Sequence, residues 1–177
     1  MKKKTLALVL ALTLLVAGVV GGTLAWLTDQ TAEVKNTFTV GDINIGLTET
    51  TADYKMVPGN TIAKDPTVTV KANSEACWLF VKVTESTDLK DFITYAIAEG
   101  WTALSGVDGV YYREVPASAA DQTFSVLAGD AVTVKSDVTR TMLETAKTDA
   151  PTLTFKAYAI QRDHFATADA AWAEVSK

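Results

Sequence analysis

The stretch ACWLFVKV, Ala76–Val83, is apolar at odd and even positions alike until Lys82 interrupts it. Side chains of a strand point alternately to its two faces. A run of this length with no polar parity therefore reads as a strand buried on both sides, or as one whose aromatic row, Trp78 and Phe80, is covered by a loop. Either way it is the centre of a fold, and its neighbours should be more ordinary strands. They are. In PTVTVKAN the valines Val68 and Val70 alternate with threonines before a turn at Asn73-Ser74, and MVPGN upstream places Pro58 and Gly59 in the middle of a turn. TLTFKAYAIQ, near the far end, puts Leu153, Phe155, Ala157 and Ala159 on one side of a long alternating strand.

The same period of two begins at Asn36. In NTFTVGDINIGLTE, Phe38 and Val40 share one parity while Ile43, Ile45 and Leu47 share the other. A strand cannot change its buried face unaided, so a β-bulge or tight bend is expected at Gly41-Asp42. FITYAIAE alternates Ile93, Tyr95 and Ile97, with room for a helix from Asp88 to Phe92 before it. VDGVYYREV carries Asp108-Gly109, a two-residue hairpin signal, between Trp101–Leu104 and Val110–Val115. FSVLAGDAVTVKSDV adds a strand around Val132 and Val134. Two helices are expected. TRTMLETAK sets Met142, Leu143 and Ala146 on one face, and ATADAAWAEV is a short helix with Thr167 as cap, Asp169 at its amino end and Trp172 packing down. About eight short strands separated by turns indicate a β-sandwich.

The first thirty residues are of another kind. Lys2, Lys3 and Lys4 precede Thr5–Leu27, which carries no charge and is long enough to cross a bilayer. Length alone does not distinguish a cleaved signal from an anchor ending near Leu27. Gly21 and Gly22 weaken the helix, and Thr23-Leu24-Ala25 places small residues where a signal peptidase reads −3 and −1. The expected cut follows Ala25, which makes Thr23, Ala25 and Trp26 the processing site. Residues 1–25 are then a signal peptide, 26–35 an amino-terminal arm and 36–177 one β-sandwich domain. The membrane would be met only through the signal segment before cleavage.

The whole chain has a net charge of −5, and loss of the three leader lysines makes the remainder more acidic. An acidic chain without a basic stripe argues against nucleic acid as a partner. One cysteine, Cys77, can form no internal disulfide, and its apolar setting reads as a small buried hydrophobe. One histidine, His164, cannot supply a zinc hydrolase with its ligands, and HExxH, G-x-S-x-G, the P-loop and G-x-G-x-x-G are all absent. Asp42, Asp65, Asp91 and Asp108 do not fall into an EF-hand spacing; a calcium site gathered from separate loops stays open. Trp78, Trp101, Tyr111 and Tyr112 would make a carbohydrate platform if they shared an exposed face, and core packing is the commoner fate of such residues. The expectation is no enzyme, no cofactor and no metal site.

GGTLAWLTDQTAEVKNTFTVGDINIGLTE, Gly21–Glu49, resembles the amino-terminal signature of the TasA and camelysin family of Gram-positive bacteria. The matching positions are Gly22, Thr23, Ala25, Asp29, Asn36, Phe38 and Gly41. VPGNTIAKDPTVTVKANSEACWLFVKV and LTFKAYAIQRDHFATADAAW look like exported members of the same broad group. The resemblance implies a jelly-roll-like antiparallel β-sandwich with one or two short helices, preceded by a signal helix. It further implies processing by a SipW-type signal peptidase, secretion to the matrix or cell surface, and self-association into biofilm-matrix fibres. In that family an amino-terminal strand completes the sheet of the next subunit, which makes Phe38, Val40, Ile43 and Ile45 the candidate donor-strand residues. A monomeric surface module for a glycan or host ligand is the second reading. A camelysin-like secreted metallopeptidase is the third, and the single histidine speaks against it.

Overall fold

The computed structural model describes residues 42–50 and 55–177. Among these residues ten strands and three short helices build an antiparallel β-sandwich. The central sheet runs β10-β4-β7-β6: β10 is Leu153–Gln161, β4 is Cys77–Glu85, β7 is Val110–Val115 and β6 is Thr102–Ala103. A front sheet, β1-β3-β8, comprises Ile45–Thr48, Thr67–Val70 and Gln122–Ser125. A small third sheet, β2-β9-β5, comprises Thr61–Ala63, Ala131–Val134 and Ile93–Thr94. The helices are α1 (Leu89–Phe92), α2 (Arg140–Ala146) and α3 (Ala168–Val175).

β4 is buried on both faces, as its double-parity apolar sequence requires. Cys77, Leu79, Val81 and Val83 point into the sandwich and meet Val68 and Val70 of β3 with Val115 and Val126. Trp78 and Phe80 point the other way. What covers them is α3 together with loop residues Val107 and Phe165: Ala168 and Ala171 lie on this face, and the Trp172 ring centre stands 5.3 Å from Phe80 and 5.2 Å from Tyr158. Lys82, the next residue on that face, is exposed. Full burial of Phe80 and Leu79 contributes about 1.5–3 kcal/mol each. Trp78 keeps its polar edge satisfied by donating from Nε1 to the Phe165 carbonyl at 3.0 Å.

α3 begins at its expected cap, Thr167, and α2 begins at a cap of the same kind, Thr139. The Thr139 hydroxyl accepts from Met142 N–H, and the Thr167 hydroxyl from Ala170 N–H, both at 3.3 Å. The helix anticipated after Asp88 is α1, and it shortens the strand that follows. Ile93 and Thr94 pair with β9, whereas Ile97 makes only an isolated bridge to Leu127. Leu89, Phe92 and Ile93 join Val132, Val134, Val138 and Ala146 in a second core beside the first.

The β6–β7 connection corrects the expectation of a two-residue hairpin. Leu104 N–H donates to the Val110 carbonyl at 2.9 Å, so the loop holds residues 105–109. Gly109 serves a turn and, beyond it, a close approach. Its φ is +71°, its carbonyl accepts from Val83 N–H at 2.7 Å, and an ideal Cβ would stand 2.4 Å from the Val83 carbonyl oxygen. β8 has no counterpart in the sequence reading, because Gln122–Ser125 offers only Phe124 as an apolar signal.

Candidate functional site

β10 lies at one edge of the central sheet and pairs along its whole length with β4, Leu153 opposite Glu85 and Gln161 opposite Cys77. Ser86 N–H donates to the Thr152 carbonyl at one end of this ladder, and Arg162 N–H to the Ala76 carbonyl at the other, both at 2.9 Å. Antiparallel bonds recur at every second residue. The even-numbered positions of β10 therefore hold β4, and Leu153, Phe155, Ala157, Ala159 and Gln161 turn their N–H and C=O groups to the open side. Among the described residues no backbone pairs with them. Natural sheets blunt such edges with lysine, proline or bulges. Here proline is missing, and the one charge, Lys156, is bent over the Tyr158 ring at 4.8 Å from its centre.

β1 runs beside this edge without bonding to it. A groove of ≈ 370 Å³ separates Ile43 from Ala159, Gln161, His164 and Phe165. A second groove of ≈ 290 Å³ opens between Leu47, Pro66 and Phe155 at the other end. Ile43 and Ile45, two of the candidate donor-strand residues, pack against the core of their own domain, and β1 pairs with β3 from Ile45↔Val70 to Thr48↔Thr67. That pairing places Ile43 and Ile45 in service of their own sandwich. Phe38 and Val40 lie outside the described residues, as do Thr23, Ala25 and Trp26, so the bend at Gly41-Asp42 is not described either.

The four aromatics considered for a carbohydrate platform do not share a face. Trp78 and Tyr112 stack edge to face at 5.8 Å under α3, while Trp101 and Tyr111 pack on the opposite side of the central sheet. Trp101 Nε1 donates to the Ser125 carbonyl at 2.9 Å. Beside it Arg113, which the sequence reading did not single out, lies between the sheets with its guanidinium 3.9 Å from the Phe124 ring centre and 5.4 Å from that of Trp101. Burial lowers its pKa.

His164 is exposed in a short turn, and among the described residues no group of three or more His, Cys, Asp or Glu side chains could hold a metal. Cys77 is fully buried, and burial pushes its thiol up to about 11. A cleft of ≈ 450 Å³ between β4, α1 and β7 is lined by Glu85, Tyr95, Tyr111 and Lys135. Glu85 accepts a short hydrogen bond from the Tyr95 hydroxyl and pairs with Lys90 at 3.3 Å. Burial, and then that carboxylate, raise the Tyr95 pKa. Among the described residues no helix is long and apolar enough to cross a membrane.

Fold and site together define an antiparallel β-sandwich with one long sheet edge that no backbone among the described residues pairs. The chain matches no protein-family model, no curated protein and no solved structure.

Proposed function

We propose that the protein is a secreted structural subunit of extracellular surface or biofilm-matrix fibres, joined by strand addition between copies. The open edge of β10 carries this reading. Five residues present, in register, main-chain groups that no backbone among the described residues pairs, and a strand docking there gains main-chain bonds while its alternate side chains fix register. The donor is the segment Asn36–Val40 of a neighbouring copy, with Phe38 and Val40 as its buried parity and residues 26–35 as the connecting arm. Ile43 and Ile45 belong to the acceptor's own sandwich. Such contact is head-to-tail and propagates as a filament unless its rotation closes a ring. Removal of residues 1–25 by a SipW-type peptidase would free the arm during export.

Electron microscopy and light scattering of protein starting at Trp26 test this. The parent should form filaments on concentration. Deleting Trp26–Lys35, or replacing Phe38 by Asp, should reduce them in a folded protein. Ala157→Pro is the complementary change, since it removes one outward N–H and no bond to β4, and edge positions tolerate proline. A parent that stays monomeric at every concentration and pH tried, or variants that assemble like it, would defeat the proposal. The tyrosine-lined cleft beside Glu85 and Lys135 favours the second reading, a surface-binding module, and glycan-array binding by a monomeric parent would establish that reading instead.

A further inference from the structure

The cleft beside Glu85 gathers polar groups from separate segments: Glu85 ends β4, Tyr95 follows β5, Tyr111 lies in β7 and Lys135 follows β9. Its volume of ≈ 450 Å³ falls in the usual range of small-ligand sites, about 300–1,000 Å³. Glu85 Oε1 accepts from the Tyr95 hydroxyl, and Oε2 pairs with Lys90 Nζ at 3.3 Å. A carboxylate has about four lone-pair sites, so Glu85 keeps room for further donors. Burial first, then Glu85, then the Tyr111 phenol raise the Tyr95 pKa, which places the two phenols close together. Tyr111 and Lys135 are half-buried. Among the described residues no acceptor meets the Tyr111 hydroxyl, and no carboxylate pairs with the Lys135 ammonium. The cleft thus holds two donors without acceptors beside an acceptor with spare capacity.

We infer that this cleft binds a uronic acid residue of an acidic glycan, a hydroxylated ring bearing a carboxylate; the inference rests on the surface-binding reading of the same cleft. The two donors, one of them cationic, are matched by an anionic acceptor, and one carboxylate can take both. Glu85 is matched by donors, which ring hydroxyls supply. Tyrosine joins an apolar ring to a polar tip, which suits the apolar face and hydroxyl rim of a sugar. A neutral sugar would leave Lys135 unmatched, and a bare phosphate dianion would set its charge near Glu85 with no donor to offer it. A free amino acid would fill little of the volume. Although the chain is acidic as a whole, Lys90 and Lys135 outnumber Glu85 among the charged groups lining the cleft. The cleft draws no residue from β10, so a glycan here and a donor strand at that edge use different residues.

Isothermal titration calorimetry of the full chain tests this, with tetramers of galacturonic, glucuronic and mannuronic acid as probes and the methyl ester of each as its uncharged twin. At least one acid should bind saturably, and its ester about tenfold or more weakly, the size of one charge-assisted hydrogen bond. Lys135→Gln should weaken the acid by a similar factor and leave the ester unchanged, while Tyr111→Phe should weaken the acid with the circular dichroism spectrum unaltered. If either variant does not fold, the comparison of acid with ester on the parent still decides. Acid and ester bound alike, or both weakened equally by Lys135→Gln, would overturn the acidic class and leave the surface-binding reading in place. Glycine bound as tightly as the tetramers would overturn it in favour of a bare carboxylate. Failure of every tetramer would also overturn it, and a glycan array then separates the two ideas: neutral glycans captured by the parent keep the surface-binding reading, and an empty array ends both.

Discussion

Gly109 and Gly106 sit in the same loop with nearly the same backbone, φ +71° and +70°, and differ in what surrounds them. Around Gly106 nothing lies within 4 Å of an added Cβ, whereas at Gly109 the Val83 carbonyl oxygen is 2.4 Å away. Replacing each by alanine therefore separates two effects that usually come together. Left-handed backbone costs an L-residue about 1–2 kcal/mol, and that is the whole of the expected loss for Gly106→Ala. Gly109→Ala carries the same term and must also push the loop away from β4. The move breaks the 2.7 Å bond from Val83 N–H, and an orphaned buried donor costs about 1–3 kcal/mol. The sum is about 2–5 kcal/mol. At roughly 3 °C per kcal/mol for a domain of this size, Tm should fall by about 3–6 °C for Gly106→Ala and about 6–15 °C for Gly109→Ala. Urea titration with unchanged m-values would confirm that the native state, not the unfolded chain, is perturbed. Equal losses for the two variants would refute the close approach of the β6–β7 loop to β4.

Phe80→Ala removes a fully buried ring that also seats Trp172, and should cost about 3–5 kcal/mol in urea unfolding while quenching or shifting tryptophan fluorescence as α3 loosens. Cys77, with its thiol pushed up to about 11, should resist an aromatic disulfide reagent at mildly alkaline pH in the folded protein and react at once in denaturant. The Asp121 carboxyl is held below its ordinary value by Ala72 N–H at 2.8 Å and then by Lys71 Nζ at 3.0 Å. A depressed folded pKa stabilises above the unfolded value of about 3.9 and loses that contribution as pH falls through the folded one. Asp121→Asn should accordingly be less stable than the parent near neutrality, with the two urea midpoints converging in acid; a constant difference across pH would show that the carboxylate's charge is irrelevant.

The strand ACWLFVKV was legible because two-sided burial leaves no polar parity, and the structure returns it as β4 with both faces covered. The cap of α3 was legible because Thr167 acts within three residues of itself; Thr139 does the same for α2, though the sequence reading named only the apolar face of that helix. What covered Trp78 and Phe80 was not, since α3 docks from far along the chain and its own pattern says only that Trp172 faces inward. The Asp108-Gly109 signal found the β6–β7 hairpin but not its five-residue loop, because Gly109 also meets β4, a distant neighbour that local turn rules do not see. Of the site, the alternation of Leu153–Ala159 was visible in the sequence, but its place at a sheet edge depends on strand order, which no local pattern encodes.

β4 gains its two flanking strands at different moments of synthesis. β7 follows soon after it, but β10, which occupies its other side, and α3, which seals its aromatic face, lie far along the chain. A nascent chain that stops short of Leu153 therefore holds its most apolar strand half unsheltered, with no local partner to substitute. Non-local closure of this kind makes folding slow, because the loop entropy must be spent before the contacts exist to offset it. The shelter of β4 is thus completed only when β10 pairs with it and α3 closes over Phe80.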